Sequence, residues 1–365
     1  MRRLTVDLGE RSYPIVIGEG IWNLLPGELE ARGIRPTSPL LVVTDDRVAS
    51  LYLETVTGLL AGAGYRVAAH VVPAGEPSKS LTELEKIVTS ALRNGLDRSS
   101  TILALGGGVV GDLAGFAAAC YMRGIRYVQL PTTILAHDSS VGGKVAVNHP
   151  LAKNVIGAFH QPEFVFYELS TLRTLPLREV RAGLAEIIKE AMIWDASFLD
   201  WCEAHAERLL ALDAAALEYA LARGCEIKSE IVSRDEREEG LRALLNFGHT
   251  IGHALETVTG YGEWLHGEAV AIGMVGEALL AVRLGYPEEV YWTTRRIVEK
   301  FGLPVAFPVT CDADAVVEAM KRDKKFREGR AVFALPVAVG RVEIVRDVPL
   351  ERVRETIEEL KKGVS

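Results

Sequence analysis

Short β-branched runs alternate with amphipathic segments from the start of the chain to about residue 170. Strands are predicted for PLLVVTDD (39–46), RVAAHVVP (66–73), STILALGGG (100–108) and RYVQLPTT (126–133), because each is a compact apolar run beside turn residues. The segment SLTELEKIVTSALRNG (80–95) repeats its apolar residues at helical spacing instead. This alternation predicts a parallel sheet covered by helices.

The pattern changes after TLPLREVRAGLAEIIKEAMI (174–193). Long runs rich in Ala, Leu and Glu continue at helical period to about residue 300. They are followed by the strand-like AVFALPVAVGRVEIV (331–345) and the helical PLERVRETIEELKKG (349–363). We therefore predict two domains, an α/β domain over residues 1–173 and a mostly α-helical domain over residues 174–365.

Composition narrows the functional class. A net charge of -8 argues against a nucleic-acid-binding or membrane-surface protein, whose binding faces need a basic excess. The four cysteines form no C-x-x-C pair, and no run of about 18 apolar residues predicts a membrane span. We expect a cytoplasmic protein that binds a small molecule and meets any anionic ligand with local basic clusters.

A glycine loop follows one of the predicted strands. Gly106, Gly108 and Gly111 match G-x-G-x-x-G, in which backbone N–H groups and a helix N-terminus approach a pyrophosphate. The structural alternative is a tight strand-to-helix turn, since no acidic residue follows about 20 positions later. Two other loops offer ribose- and phosphate-type groups: VVTDD, with Asp45 or Asp46, and PAGEPSKS (73–80). Together the three loops favour a nicotinamide dinucleotide over a lone phosphate.

A basic, glycine-containing stretch spans residues 131–162, PTTILAHDSSVGGKVAVNHPLAKNVIGAFHQP. Thr132 and Thr133 offer hydroxyls, Lys144 and Lys153 supply positive charge, and Asp138 would orient Lys144 or a substrate hydroxyl. A loop of this length without a function is unusual in a compact domain. We therefore interpret the stretch as a binding loop.

Three histidines stand close together in sequence. His249 and His253 are one helical turn apart, and His266 follows a predicted turn. The alternative is that they are hydrogen-bonded core residues, but Glu186 on a preceding helix would complete a catalytic zinc site of about three protein ligands. The sequence leaves open which pair of histidines binds the metal. The spacing lacks the Glu of H-E-x-x-H, so a metalloprotease is not predicted.

Further charged and polar residues surround this set. Lys189 lies one turn after Glu186, and Lys228 and Glu238 precede the histidines. Arg242 and Asn246 fall at i−7 and i−3 from His249, so we predict that they share its helical face. A guanidinium there suits bidentate capture of a carboxylate.

Taken together, these segments resemble the 3-dehydroquinate synthase family over essentially the whole chain. The resemblance rests on GEPSKS, LGGGVVGDLAGFAAACYMRG, QLPTTILAHDSSVGGK, NHPLAKNVIGAFHQP, TLPLREVRAGLAEIIK, DEREEGLRALLNFGHTIGHALE, HGEAVAIGM and RDKK. It implies an N-terminal α/β domain with a Rossmann-like parallel sheet that binds NAD, and a mostly α-helical C-terminal domain that binds metal and substrate. It also implies a homodimer.

The resemblance implies specific site residues. Zinc or cobalt would be held by Glu186, His249 and His266. NAD would be bound by Asp45, Glu76, Lys79, Gly107, Gly108, Val109, Gly111, Asp112, Thr132, Thr133, Lys144, Lys153, Thr171, Leu172 and Thr174. The sugar-phosphate substrate would be bound by Arg123, Asp138, Lys144, Asn154, Lys189, Lys228, Arg242, Asn246, His253 and one of Lys324 and Lys325. Arg123 would act across the dimer interface, and His253 and Glu238 are the candidates for proton transfer.

The implied reaction is a cyclising phosphate elimination. NAD would transiently oxidise 3-deoxy-D-arabino-heptulosonate 7-phosphate, and 3-dehydroquinate and phosphate would be the products, in the shikimate pathway. Three alternatives compete: another sugar-phosphate cyclase, a metal-dependent polyol or glycerol-phosphate dehydrogenase, and a noncatalytic ligand-binding protein. Arg242 argues against the first, because a substrate without a carboxylate gives no reason for a guanidinium there. A dehydrogenase would produce NADH and release no phosphate, and the ionisable cluster argues against the last.

Overall fold

The computed structural model of the chain describes residues 1–150, 152–260, 262–321, 326–327 and 330–362. The chain forms two compact units: unit 1 comprises Met1–Leu175 and Leu217–Ser233, and unit 2 comprises Pro176–Ala216 and Arg234–Ser365. The domain boundary after residue 173 stays a prediction, and the contacts group Leu217–Ser233 with the N-terminal part of the chain.

Unit 1 is built on a seven-stranded sheet of order β1-β2-β9-β6-β5-β3-β4. Its strands, with those of a separate hairpin β7-β8, are β1 Arg2–Val6, β2 Tyr13–Gly18, β3 Leu40–Asp45, β4 Val67–Val72, β5 Thr101–Gly106, β6 Arg126–Pro131, β7 Lys144–His149, β8 Ala152–Phe159 and β9 Val165–Glu168. Only β1 and β2 pair antiparallel within the large sheet. The predicted parallel sheet is therefore confirmed, including all four strands named from the sequence.

Helices cover both faces of this sheet. They are α1 Leu25–Ala31, α2 Asp46–Val48, α3 Glu54–Gly62, α4 Leu81–Arg93, α5 Gly108–Cys120 and α6 Ala136–Ser139. Successive strand residues point to opposite faces, so Leu41 and Val43 pack in the core with α4 and α5, whereas Leu40 and Val42 pack with α1 and α3. Burial on both faces explains why these strands are apolar without alternation.

Unit 2 is mostly helical, as predicted. Its helices are α7 Leu177–Trp194, α8 Ala196–Ala204, α9 Ala206–Leu210, α10 Ala214–Arg234, α11 His249–Thr259, α12 His266–Arg283, α13 Glu288–Lys300, α14 Ala313–Lys321 and α15 Leu350–Lys362, although Leu217–Ser233 of α10 belongs to unit 1. Helix α12 is buried along most of its length and contacts α7, α11 and α13. An antiparallel sheet, β10 Phe326–Arg327, β11 Arg330–Ala338 and β12 Arg341–Arg346, completes the unit.

The expectation that residues 131–162 form one long loop is wrong, whereas their binding role stays a prediction. Strands β7 and β8 make up 14 of these 32 residues, and in their hairpin Val145 faces Ala158 and Val147 faces Ile156. The short apolar run VAV in KVAVNH, with two β-branched residues, is a strand signal, and the glycines and lysines around it obscured that signal. Among the described residues, no helix is both long and apolar enough to cross a lipid bilayer.

Candidate functional site

A carboxylate and three histidines meet inside unit 2. Glu186 lies on α7, His249 and His253 on α11, and His266 is the first residue of α12. Oε1 of Glu186 is 3.6 Å from Nε2 of His249 and 3.5 Å from Nε2 of His266. Metal–ligand bonds of about 2.1 Å in tetrahedral geometry separate ligand atoms by about 3.4 Å. The spacing of these three side chains therefore fits a zinc-sized ion.

All three histidines lie within reach of a common point. Their ring nitrogens include one atom each within 4.8 Å of the others. The ring centroids of His249 and His253 are 5.2 Å apart, and those of His253 and His266 are 5.6 Å apart. His253 therefore borders the carboxylate–histidine cluster, and the helical spacing read from the sequence accounts for its place beside His249.

Electrostatics draw positive charge into this cluster. Burial lowers the pKa of His249 well below 6.5, which favours the neutral imidazole that a metal ligand requires. Burial also acts to lower the pKa of His266, but hydrogen bonds and charge from Glu186 and Glu256 outweigh it and raise the pKa to about 10. Lys189 forms an ion pair with Glu186, and both side chains are 1% exposed. Glu186 and Glu256 thus favour positive charge on His266, and Lys189 places a second cationic group beside Glu186.

Glu256 was not among the residues predicted from the sequence. Its Oε2 lies 3.4 Å from Nδ1 of His266, and its side chain is only 5% exposed. A carboxylate behind a metal-binding histidine fixes the ring orientation and makes the facing nitrogen a better ligand. Glu256 lies one helical turn after His253 on α11, and this spacing could have indicated that it lies near the histidines.

Close helix packing holds the cluster together. A Cβ atom on Gly267 would lie 1.8 Å from the carbonyl oxygen of Ala182 on α7. A Cβ atom on Gly273 would lie 1.9 Å from the carbonyl oxygen of Gly248 at the start of α11. Only glycine permits these two approaches of α12 to its neighbours. The three helices that carry Glu186, His249 and His266 are therefore fixed at backbone distance.

The prediction that Arg242 and Asn246 share the helical face of His249 is wrong. Residues Leu241–Asn246 form a separate 3-10 helix, and Gly248, with a φ of +80°, breaks the chain direction before α11 begins. Arg242 is buried at 1% exposure, and its guanidinium donates to the carbonyl oxygen of Glu236. Nδ2 of Asn246 donates to Oε1 of Glu238 at 3.0 Å.

Asp235 fixes the loop that carries these residues. Its carboxylate accepts backbone N–H groups of Glu239, Gly240 and Arg242 at 2.8–2.9 Å. Burial acts to raise the pKa of Asp235, but these hydrogen bonds outweigh it and hold the pKa below its usual 3.8. Glu238 and Asn246 also line a cavity of about 580 Å³ within unit 2, between this loop and strands β11 and β12.

In unit 1 the predicted glycine loop joins β5 to α5. Gly107 is the N-cap of α5, and no side chain in the described part of the chain caps this helix. The first backbone N–H groups of the helix are therefore available to an anion. The hydroxyl of Thr132 is 3% exposed and has no hydrogen-bond partner among the described residues. Both features fit the pyrophosphate of a dinucleotide.

A buried lysine organises the loops around α5. Nζ of Lys79 contacts Oδ2 of Asp112 and Oδ1 of Asn154, each at 2.5 Å. Burial raises the pKa of Asp112, and the charge of Lys79 opposes that rise. Glu76 accepts from the side-chain amide of Asn148 at 2.7 Å and lies 3.9 Å from Nζ of Lys153. The structure thus brings these predicted residues of PAGEPSKS and of the hairpin together.

The other predicted residues of unit 1 have diverse surroundings. Asp45 ends β3 and accepts the N–H groups of Arg47 and Val48 at 3.0 and 2.9 Å. Nζ of Lys228 on α10 forms an ion pair with Oδ2 of Asp138 at 2.9 Å. Asp138 therefore holds Lys228 in place. Arg123 is exposed and has a φ of +69°.

Remaining candidates differ in exposure. Thr171 and Leu172 are buried, and the hydroxyl of Tyr52 contacts the carbonyl oxygen of Thr171 and Oγ1 of Thr174. Thr133 and Lys144 are half-buried. Gly108, Val109 and Gly111 lie in the first turns of α5. Lys324 and Lys325 lie outside the described residues.

Comparisons with known proteins cover nearly the whole chain. The family model "3-dehydroquinate synthase N-terminal" matches residues 69–182, and "3-dehydroquinate synthase C-terminal" matches residues 183–326. A 3-dehydroquinate synthase from Geobacillus thermodenitrificans (strain NG80-2) is 50% identical over 348 residues, which cover 94% of this chain and 94% of the relative.

Solved structures of two cyclases share the fold. The 2-epi-5-epi-valiolone synthase from Streptomyces hygroscopicus subsp. jinggangensis 5008, with NAD+ and Zn2+ bound, is 31% identical with a TM-score of 0.89. A 2-deoxy-scyllo-inosose synthase complexed with carbaglucose-6-phosphate, NAD+ and Co2+ is 26% identical with a TM-score of 0.88. Each alignment covers 98% of this chain and 99% of the other. The family models, the near-complete relatives and the shared fold agree, and the chain belongs to the 3-dehydroquinate synthase family.

Proposed function

We propose that the protein is an enzyme that converts 3-deoxy-D-arabino-heptulosonate 7-phosphate to 3-dehydroquinate and phosphate. This carbon–oxygen lyase reaction belongs to the shikimate pathway of aromatic amino acid biosynthesis. Half identity to 3-dehydroquinate synthases over 94% of both chains supports the assignment. The observation that carries it is the carboxylate of Glu186, which meets His249, His266 and Lys189 within unit 2.

Glu186, His249 and His266 would hold a divalent metal, zinc or cobalt. The Nε2 atoms of both histidines face the same carboxylate oxygen, which favours this set over one that includes His253. When bound, the ion would act as a Lewis acid that polarises a substrate hydroxyl. Lys189 pairs with the buried carboxylate of Glu186, so its ammonium group would lie beside the bound ion.

NAD would bind to unit 1. Its pyrophosphate would meet the N-terminus of α5 at Gly107, Gly108 and Val109, with Thr132 as a further donor. When bound, NAD would take a hydride from the substrate and later return it, so that the neighbouring C–H is acidic while phosphate leaves. The remaining proposed NAD contacts are Asp45, Glu76, Lys79, Gly111, Asp112, Thr133, Lys144, Lys153, Thr171, Leu172 and Thr174.

The substrate carries a carboxylate and a phosphate, so its binding requires cations. Arg242 would receive the carboxylate, because its planar guanidinium is already oriented by the carbonyl oxygen of Glu236. Lys228 is held by Asp138 and would meet the phosphate or a hydroxyl. Further proposed contacts are Arg123, Lys144, Asn154, Lys189, Asn246 and, outside the described residues, Lys324 or Lys325.

His253 and Glu238 would move protons. His253 borders the cluster at 5.2 Å from the His249 ring, where an imidazole can exchange a proton with a bound hydroxyl. Glu238 is fixed by Asn246, which donates to its carboxylate. A cytoplasmic homodimer in which Arg123 reaches the partner's site completes the proposal, supported by the exposed position of Arg123.

The test is phosphate release from 3-deoxy-D-arabino-heptulosonate 7-phosphate by the purified protein. It would be run with and without NAD, and after EDTA treatment with zinc or cobalt restored, while NADH absorbance is followed. We expect phosphate release that requires both cofactors and no net NADH. Steady NADH formation from a polyol without phosphate release would replace the cyclase with a dehydrogenase.

Arg242 separates this reaction from that of a cyclase whose sugar-phosphate substrate lacks a carboxylate. Arg242→Lys removes the bidentate fork but keeps the charge. For the proposed substrate we expect KM to rise by about tenfold or more, because each good charge-assisted hydrogen bond contributes about 1.5–3 kcal/mol. An unchanged KM would remove Arg242 from the carboxylate site.

A further inference from the structure

Glu277 is a completely buried carboxylate on α12 that has no place in the set above. It lies eleven residues after His266, on the inner side of the helix. Its Oε2 accepts the backbone N–H of Gly248 at 2.6 Å, and its Oε1 accepts those of Thr250 and Ile251 at 3.0 and 3.1 Å.

These three N–H groups flank His249 at the start of α11. The first N–H groups of a helix have no partner within the helix, and Gly248 provides no side-chain cap. A carboxylate at this position satisfies them and is itself stabilised by the positive end of the helix dipole. Such compensation is what permits a buried acidic side chain.

The contact joins two helices that carry histidines of the cluster. Glu277 belongs to α12, which begins at His266, and it holds the backbone on both sides of His249. Gly273, one turn before Glu277, brings the same face of α12 against the carbonyl oxygen of Gly248. The separation of His249 and His266 is thus set through the backbone, without any contact between Glu277 and the imidazoles being needed.

We propose that Glu277 is a positioning residue of the metal site, which fixes the start of α11 on α12 and so sets the spacing of His249 and His266. This inference rests on the proposed function, because it takes these two histidines as metal ligands. Glu277 acts on metal affinity and on the geometry of the bound ion.

The experiment compares Glu277→Gln with the parent enzyme. The amide has one acceptor oxygen, and its NH2 group would face an N–H donor, so at least one of the three hydrogen bonds is lost. The zinc dissociation constant would be measured by competition with a chromophoric chelator, and the visible absorption of the cobalt-substituted enzyme would be recorded. We expect zinc to bind about tenfold more weakly, and the cobalt bands to shift.

Glu168→Gln is the matched control. Glu168 is also fully buried, and its carboxylate accepts the N–H groups of Gly20, Ile21 and Trp22 at 2.5–3.2 Å, but all these residues belong to unit 1. We expect this variant to lose thermal stability as Glu277→Gln does, with unchanged zinc affinity and cobalt spectrum.

Parental zinc affinity and cobalt bands in Glu277→Gln would overturn the inference, as would an equal loss of affinity in Glu168→Gln. Failure of the parent itself to bind zinc would instead overturn the proposed ligands. Should Glu277→Gln not fold, Glu277→Asp takes its place. Its carboxylate is one methylene shorter and reaches fewer of the N–H groups, so weakened zinc binding supports the inference and parental affinity refutes it.

Discussion

Gly267→Ala tests whether backbone packing sets the metal site. Gly267 follows His266 directly, and a Cβ atom there would lie 1.8 Å from the carbonyl oxygen and 2.5 Å from the carbonyl carbon of Ala182. Ala182 stands one turn before Glu186 on α7. Ordinary contact begins at 3.4 Å, so the two helices must separate by about 1.6 Å. Both atoms met by the methyl group are backbone, so no side-chain rotation relieves the clash.

Separation of α7 from α12 would increase the distances between the proposed ligand atoms. Oε1 of Glu186 is 3.5 Å from Nε2 of His266, close to the tetrahedral spacing. Moving the helices apart by the full amount takes this distance to about 5 Å, whereas metal–ligand bonds tolerate about 0.2 Å. We expect zinc affinity to fall by about 100-fold or more, and the free energy of unfolding to fall by about 1–3 kcal/mol from overpacking.

The assay is a zinc titration in competition with a chelator, together with urea unfolding of the metal-free protein. Gly276→Ala is the control on the same helix, because the nearest atoms to its Cβ atom would be side-chain methyl groups rather than backbone, Cδ1 of Ile251 at 3.1 Å and Cδ1 of Leu360 at 3.4 Å. That variant should keep the parental zinc affinity. Its free energy of unfolding should change by less than about 1 kcal/mol, because the higher helix propensity of alanine offsets the tighter packing. Parental zinc affinity in Gly267→Ala would refute the reasoning, because the clash would then have been relieved without moving the ligands.

Three further outcomes follow from the same contacts. Asp235→Asn should lower the free energy of unfolding at pH 7, and the difference from the parent should shrink as pH falls below 3.8. A carboxylate whose pKa is lowered in the folded state stabilises the fold above its unfolded pKa and loses that contribution in acid. If urea titrations showed the same difference in unfolding free energy between parent and variant at every pH, the role of the hydrogen bonds from residues 239–242 to Asp235 would be contradicted. Lys228→Met should lower the free energy of unfolding by about 1–3 kcal/mol, because it removes the cation 2.9 Å from Asp138. A double-mutant cycle with Asp138→Asn that gives no coupling energy would argue against the ion pair. EDTA treatment should lower the melting temperature and zinc should restore it. Free zinc at 100 times its dissociation constant should raise the free energy of unfolding by about 2.7 kcal/mol, and equal melting curves with and without zinc would count against a metal site.

The sequence predicted the architecture well where burial determines the pattern. Strands β3, β5 and β6 are buried on both faces, so their apolar runs are continuous and easily recognised. The hairpin β7-β8 was mistaken for a loop, because glycines and lysines, among them Lys144 and Lys153, stand in and beside its short strands. The predicted common face of Arg242 and His249 is wrong because the 3-10 helix ends at Asn246, and Phe247 and Gly248 take non-helical backbone conformations before α11 begins. Helical periodicity assumes an unbroken helix, and two such residues are enough to invalidate it.

In the candidate site, the residues with reactive side chains were easier to predict from the sequence than the residues that fix the backbone. Residue type and spacing singled out Glu186 and the three histidines as candidate ligands, but they left open which two histidines bind, and the choice of His249 and His266 came from the resemblance to the family. Gly267 and Glu277 carry no signal of that kind, since a glycine in a helix and a glutamate in an Ala-rich helix are ordinary residues. Yet Gly267 and Glu277 act on backbone atoms, and backbone positions determine whether ligand atoms stand at 3.5 Å or at a distance that no zinc ion can bridge. The residues that supply the donors are therefore only one part of the proposed metal site, and substitutions that leave every donor in place should still weaken metal binding.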